Sequence, residues 1–135
     1  MEITGRCLCG KGRFAYTGTL GTASFLHCED CRRATGGPYT ISVLVEKKHL
    51  AIENEALLKA HECTGDSGRS LFRLFCGECG SPFMTTHPER EALLWIKAGL
   101  FDRPELVVPA HESWTTKKVP WATIRVGKSW PENPQ

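Results

Sequence analysis

The sequence predicts a mostly-β fold. Three observations carry that expectation. Short segments rich in β-branched and aromatic residues recur along the chain, glycines and prolines interrupt it at short intervals, and only one stretch has helical punctuation. Thirteen glycines and eight prolines in 135 residues favour many short elements over long helices.

The predicted strands are residues 12–17, 22–27, 39–46, 57–63, 70–75, 82–86, 93–100 and 110–115. Segment 70–75 does not alternate cleanly between apolar and polar residues, so both its faces are expected to be covered. The one predicted helix is a turn or two over residues 29–34, with Gly36 and Gly37 available to end it. A short turn at residues 87–91 joins two strands. The chain has no internal repeat and no Gly/Ser linker, so it reads as one domain over residues 1–128, with 129–135 as a tail expected to fray.

Composition narrows the function. Hydrophobic residues make up 41% of the chain, well above what a disordered chain carries. Seventeen Lys and Arg against fifteen Asp and Glu leave a net charge of +2, which argues against a nucleic-acid surface. No apolar run reaches the roughly 18 residues of a membrane helix. Residues 1–6 lack the charged-then-apolar layout of a signal peptide, so a cytoplasmic location is expected. In a reducing compartment disulfides explain seven cysteines poorly, and an odd count leaves one unpaired in any case. Metal binding or thiol chemistry is the leading expectation.

Cys7-Leu8-Cys9-Gly10 and Cys76-Gly77-Glu78-Cys79-Gly80 form a pair of pairs. Zinc prefers four soft ligands in a tetrahedron, and closely spaced thiolates let one tight turn supply two of them. Glycines after Cys9, Cys76 and Cys79 allow the backbone to fold back and aim N–H groups at sulfur. Joined, the two halves would make a closed structural zinc site. The third group, His27-Cys28-Glu29-Asp30-Cys31-Arg32-Arg33, has only two cysteines, so a metal there would keep open positions, as a catalytic zinc does. Arg32 and Arg33 would lower the thiolate pKa and bind a substrate carboxylate. A reduced pair without metal, or a disulfide-exchanging Cys28/Cys31 pair, are the competing readings of this segment.

Taken in order, C-x-C-G, H-C-x-x-C-R-x-x-x-G, F-C-x-x-C-G-x-P-F and P-x-H resemble the glutathione-dependent formaldehyde-activating (GFA) family. Here they are Cys7 to Gly10, His27 to Gly36, Phe75 to Phe83, and Pro109-Ala110-His111 followed by Trp114 and Trp121. Ala98-Gly99-Leu100-Phe101-Asp102 is similar to the family's small-Gly-x-x-Asp segment. The resemblance implies a β-tent fold, two layers of sheet with zinc at the seams. It implies a structural zinc on Cys7, Cys9, Cys76 and Cys79, and a catalytic zinc held by C-x-C-x-x-C. It also implies a carbon–sulfur lyase reaction, in which glutathione and formaldehyde combine to S-(hydroxymethyl)glutathione.

One position departs from that pattern. Leu26 stands where the first cysteine of C-x-C-x-x-C falls, leaving Cys28 and Cys31. His27 and Cys63 are the candidates to complete the site, although strand alternation turns His27 away from Leu26 and Cys28. A weakened or empty second site is therefore expected, on an enzyme acting on thiol adducts of aldehydes. The alternative is a zinc-stabilised binding module without chemistry. The expected partner is a small-molecule thiol or thiol adduct. His49, His61 and His87 receive no special role, and no chemical role for His111 follows from spacing. The four tryptophans are expected in core or seam packing, with one or two lining a cleft.

Overall fold

The computed structural model describes residues 1–65, 68–123 and 131. Trp130 and most of the tail expected to fray lie outside the described residues. Among the described residues the chain forms β1 (Ile3–Arg6), β2 (Arg13–Tyr16), β3 (Ala23–Leu26), α1 (Glu29–Thr35), β4 (Thr40–Glu46), β5 (Leu50–Glu53), β6 (Leu58–Thr64), β7 (Ser70–Cys76), β8 (Pro82–Thr86), β9 (Leu93–Lys97) and β10 (Pro109–Ser113), with short 3-10 turns between them. The mostly-β expectation holds. No described helix is long and apolar enough to cross a membrane.

Two sheets form. One is three-stranded in the order β1-β2-β5, and the other is seven-stranded in the order β10-β3-β4-β9-β8-β7-β6. Neighbours are antiparallel except β10, which runs parallel to β3. The predicted strand 93–100 stops at Lys97, and Ala98–Leu100 turn instead as a 3-10 element. That turn buries Leu100 and delivers Phe101 to a bridge with Gly5. Asp102 then fixes β1: its Oδ2 accepts from Thr4 Oγ1 at 2.7 Å and its N–H donates to the Thr4 carbonyl.

β1 and β5 are strands that sequence patterning missed. Each has four residues and, unlike the equally short β2 and β3, no aromatic residue to mark it, although both alternate in burial once folded. Gly5 matters in β1 for a second reason. A Cβ there would lie 2.3 Å from the Phe14 ring and 2.5 Å from the Leu100 carbonyl oxygen.

The sheets bury Phe14 and Tyr16 against Val43, Val45, Phe83, Met84, Leu94, Ile96 and Phe101. Fully buried Tyr16 satisfies its hydroxyl across the layers, donating to the Thr19 carbonyl at 3.0 Å and accepting from the Glu46 N–H at 3.1 Å. The seven-stranded sheet has unlike faces. Val43, Ile96, Met84 and Leu74 lie opposite one another in register on the core face. The other face carries Ser42 opposite Lys97, and Trp95 opposite Thr85, itself opposite Arg73. One sheet face is thus given to packing and the other to polar and charged groups.

Candidate metal centre and cleft

Two matching knuckles build the cysteine cluster. The first follows β1, with the Cys7 N–H donating to the Gly12 carbonyl at 3.0 Å. The second follows β7, with the Cys76 N–H donating to the Ser81 carbonyl at 2.9 Å. Gly10 and Gly80 reverse the chain at φ of 79° and 77°, a left-handed conformation that costs other residues about 1–2 kcal/mol. The Cys7 and Cys9 Sγ atoms are 3.6 Å apart, the Cys9 and Cys76 Sγ atoms 3.7 Å, and all four sulfurs lie within 4.8 Å of one another. Tetrahedral zinc with sulfur at about 2.3 Å sets an edge of about 3.8 Å, so these four residues fit the metal.

The cluster's electrostatics ask for a cation. Burial pushes the Cys7 thiol up, but the Gly12 N–H, 3.3 Å from its sulfur, and hydrogen bonds from Cys9 and Cys76 lower it overall. The Ser81 hydroxyl, 3.2 Å from the Cys79 sulfur, and the Ser81 N–H bring Cys79 down to about 5. For Cys9 the Lys11 N–H lowers the thiol, yet desolvation and the neighbouring sulfurs of Cys7, Cys79 and Cys76 push it up to about 11. Crowded sulfurs resist carrying four negative charges together unless a cation shares them. The sequence expectation of N–H groups aimed at sulfur is met by the backbone of Gly12 and Gly10 at Cys7, Lys11 at Cys9 and Ser81 at Cys79. Ser81, which also accepts from the Leu8 N–H at 3.1 Å, was not foreseen and ties one knuckle to the other.

Cys28 and Cys31 sit elsewhere, where β3 meets α1. Cys28 caps the helix, its sulfur accepting the Cys31 N–H at 3.2 Å, and Gly36 ends it at φ 76°. The two sulfurs are joined as a disulfide, with Cα atoms 5.1 Å apart. A disulfide offers no thiolate to a metal, so the open metal site expected at Cys28 and Cys31 requires the pair to be reduced. Nor does a third ligand approach: among the described residues the four-cysteine cluster is the one group of this kind that could hold a metal. Leu26 lines the same cleft as the pair. His27 faces away, buried, with Nε2 3.0 Å from Glu112 Oε1, as strand alternation predicts. Hydrogen bonding from His27, then from Lys118, holds the Glu112 carboxyl below its ordinary value. Cys63 lies on β6, opposite Leu71. Joined to each other, the Cys28 and Cys31 sulfurs do not fit a metal in this state, and among the described residues no third ligand stands beside them.

A cleft of 430 Å³ opens between α1 and the polar sheet face. Leu26, Cys28 and Cys31 form one wall, while Arg73, Trp95 and Lys97 stand on the sheet. The arginines proposed from sequence are not among its lining residues. Arg33 is exposed and pairs with Glu29 at 3.2 Å, one helical turn away, and the buried Arg32 Nε has no partner among the described residues. The cleft's cations are Arg73, Lys97 and Lys117 instead. A signal for the first two existed in the sequence: each interrupts an otherwise apolar strand, Arg73 in Leu71-Phe72-Arg73-Leu74-Phe75 and Lys97 after Leu93-Leu94-Trp95-Ile96. His87, given no role from sequence, also lines the cleft. Burial lowers its pKa, helped by the positive charges of Arg90 and Arg73. Of the tryptophans, Trp95 and Trp114 line the cleft, whereas Trp121 is exposed rather than packed at a seam. His111 is exposed on β10.

Residues 2–117 match the family described as glutathione-dependent formaldehyde-activating enzyme (GFA). The chain belongs to this family. A crystal structure of a Rhodobacter sphaeroides protein is similar in fold, with a TM-score of 0.61 at 17% identity, covering 82% of this chain and 99% of that one. No curated protein matches the chain. In this GFA-family chain the four-cysteine cluster is the group among the described residues that could hold a metal, and the cleft beside Cys28 and Cys31 lies apart from it.

Proposed function

We propose that this GFA-family protein binds zinc at Cys7, Cys9, Cys76 and Cys79 and acts at the cleft as a carbon–sulfur lyase on aldehyde adducts of glutathione or another small thiol. The observation that carries the reading is the position of Cys28 and Cys31 in the wall of a cleft walled by polar and aromatic side chains. In the four-cysteine cluster a zinc ion would neutralise the thiolates and clip β1 to β7, contributing folding free energy rather than chemistry.

The reaction is balanced without a co-reactant. In a hydroxymethyl thioether the C–S bond breaks, its electron pair moves to sulfur, and the hydroxyl proton leaves as the aldehyde carbonyl forms. A proton on sulfur completes the products, thiol and aldehyde. His87 is the cleft's candidate base for the hydroxyl proton, since its lowered pKa keeps the imidazole neutral at neutral pH. Trp95, with its ring centroid 4.7 Å from that of His87, supports the imidazole edge-on.

The test follows formation and breakdown of S-(hydroxymethyl)glutathione by reduced, zinc-loaded protein and by its Cys28→Ser and His87→Gln variants. Acceleration over the uncatalysed rate, reduced at least tenfold in either variant, supports the lyase reading. A rate equal to the protein-free control overturns it. One observation favours a second reading, a zinc-stabilised binding module without chemistry: Cys28 and Cys31 are spent on each other, beside Leu26, which offers no ligand atom. Ligand binding without any rate change would select that module.

A further inference from the structure

Lys97 is the least expected residue of the cleft. It ends β9 half-buried, and its Nζ donates to Thr40 Oγ1 at 3.1 Å and to Ser42 Oγ at 3.4 Å. Both partners are neutral hydroxyls, and an ammonium has three N–H bonds to place. Arg73, the charge that acts on it, is also positive. Neither cation takes part in an ion pair among the described residues. Glu29 and Asp30 line the same cleft from the start of α1 but pair with neither. Burial first, and Arg73 second, lower the Lys97 pKa to about 8, as desolvation and a neighbouring like charge do to an ammonium.

Uncompensated cations facing a cleft are costly to a fold and useful to a ligand. We infer that Lys97 and Arg73 form a carboxylate-binding subsite, which anchors a small carboxylate whose sulfur-bearing or apolar end lies toward Leu26 and Cys31. Thr40 and Ser42 hold the ammonium in place, and Trp95 and Trp114 supply apolar wall for the ligand's body. A carboxylate suits the site better than a phosphate, because Arg73, Lys97 and Lys117 against Glu29 and Asp30 leave the lining a net charge of about +1, which a monoanion balances. The inference deepens the proposed function, since it names what orients the thiol adduct, and it moves the anchor from Arg32 and Arg33 to the sheet.

The experiment measures binding rather than turnover, so its failure is separable from that of the lyase reading. The protein is titrated with 3-(methylthio)propionate, with its neutral amide 3-(methylthio)propanamide, and with inorganic phosphate, followed by the NMR shifts of the tryptophan indoles. The expected result is at least tenfold tighter binding of the carboxylate than of the amide, with the preference erased in Lys97→Met and reduced in Arg73→Gln. The amide comparison in the unaltered protein stands even where a variant fails to fold. Equal affinity for acid and amide overturns the proposal. So does a preference that survives Lys97→Met but is lost in Arg33→Gln, or phosphate binding as tightly as the carboxylate.

Discussion

The four-cysteine cluster and the two-cysteine cleft are made from similar short motifs and arrive at opposite states. In the cluster, two knuckles from distant parts of the chain converge until their sulfurs are spaced as the edges of a metal tetrahedron. In the cleft, Cys28 and Cys31 have no convergent partner among the described residues and close on each other. The difference lies in what stands beside each pair. Cys7 and Cys9 meet Cys76 and Cys79, whereas Cys28 and Cys31 meet Leu26 and a sheet face carrying cations. A C-x-x-C is thus half a site, and its surroundings decide whether it becomes metal ligand, disulfide or cleft wall.

Breaking the cluster has the largest expected effect. Cys76→Ser removes a buried ligand, and thermal or denaturant unfolding should show a loss comparable to the whole stability of a small domain, on the order of 5–15 kcal/mol. A strong zinc chelator should act in the same direction on the unaltered protein.

Next in size is Lys97→Met, with the opposite sign. Removing an uncompensated half-buried charge should stabilise the fold at pH 7 by about 1–3 kcal/mol, less what Thr40 and Ser42 lose as hydrogen-bond acceptors. The folded lysine titrates near 8, against 10.5 for an ordinary one. Between those values the unfolded chain holds a proton that the folded one has released, so stability of the unaltered protein rises with pH. The advantage of the variant is full below about 8 and disappears by about 10.5. The other charged or titratable groups lining the cleft are Glu29, Asp30, Arg73, His87 and Lys117, and they remain in both proteins.

Cys28→Ser should cost about 2 kcal/mol in oxidised protein, the entropy of a very short cross-linked loop, and close to nothing after reduction. Ser81→Ala is the gentlest change. Loss of the hydroxyl between Cys79 and Leu8 should cost about 1 kcal/mol, raise the Cys79 pKa from about 5, and weaken metal affinity roughly tenfold.

Much of this architecture was legible in the sequence, because its strongest signals are local. Residues 82–86 read directly as β8, and Gly36 caps α1 where helix-ending glycine was expected. The cluster was legible from C-x-C and C-x-x-C with their glycines, since thiolate geometry constrains spacing tightly. β1 and β5 were not, because they lack the aromatic residues that mark the equally short β2 and β3. The cleft was read from its cysteine motif, which drew attention to Arg32 and Arg33, adjacent in sequence. Register instead sets Lys97 of β9 beside Ser42 of β4, far apart in the chain, and Arg73 beside Thr85 of the next strand, and cross-strand pairing is what one strand's pattern does not reveal.

The division between a closed metal cluster and a metal-free cysteine pair is tested most directly by counting zinc per chain. Native mass spectrometry of reduced protein should find about one zinc in the unaltered chain and in Cys28→Ser, and none in Cys76→Ser. Two zinc ions in the unaltered chain with one lost in Cys28→Ser, or equal loss in both variants, would contradict it.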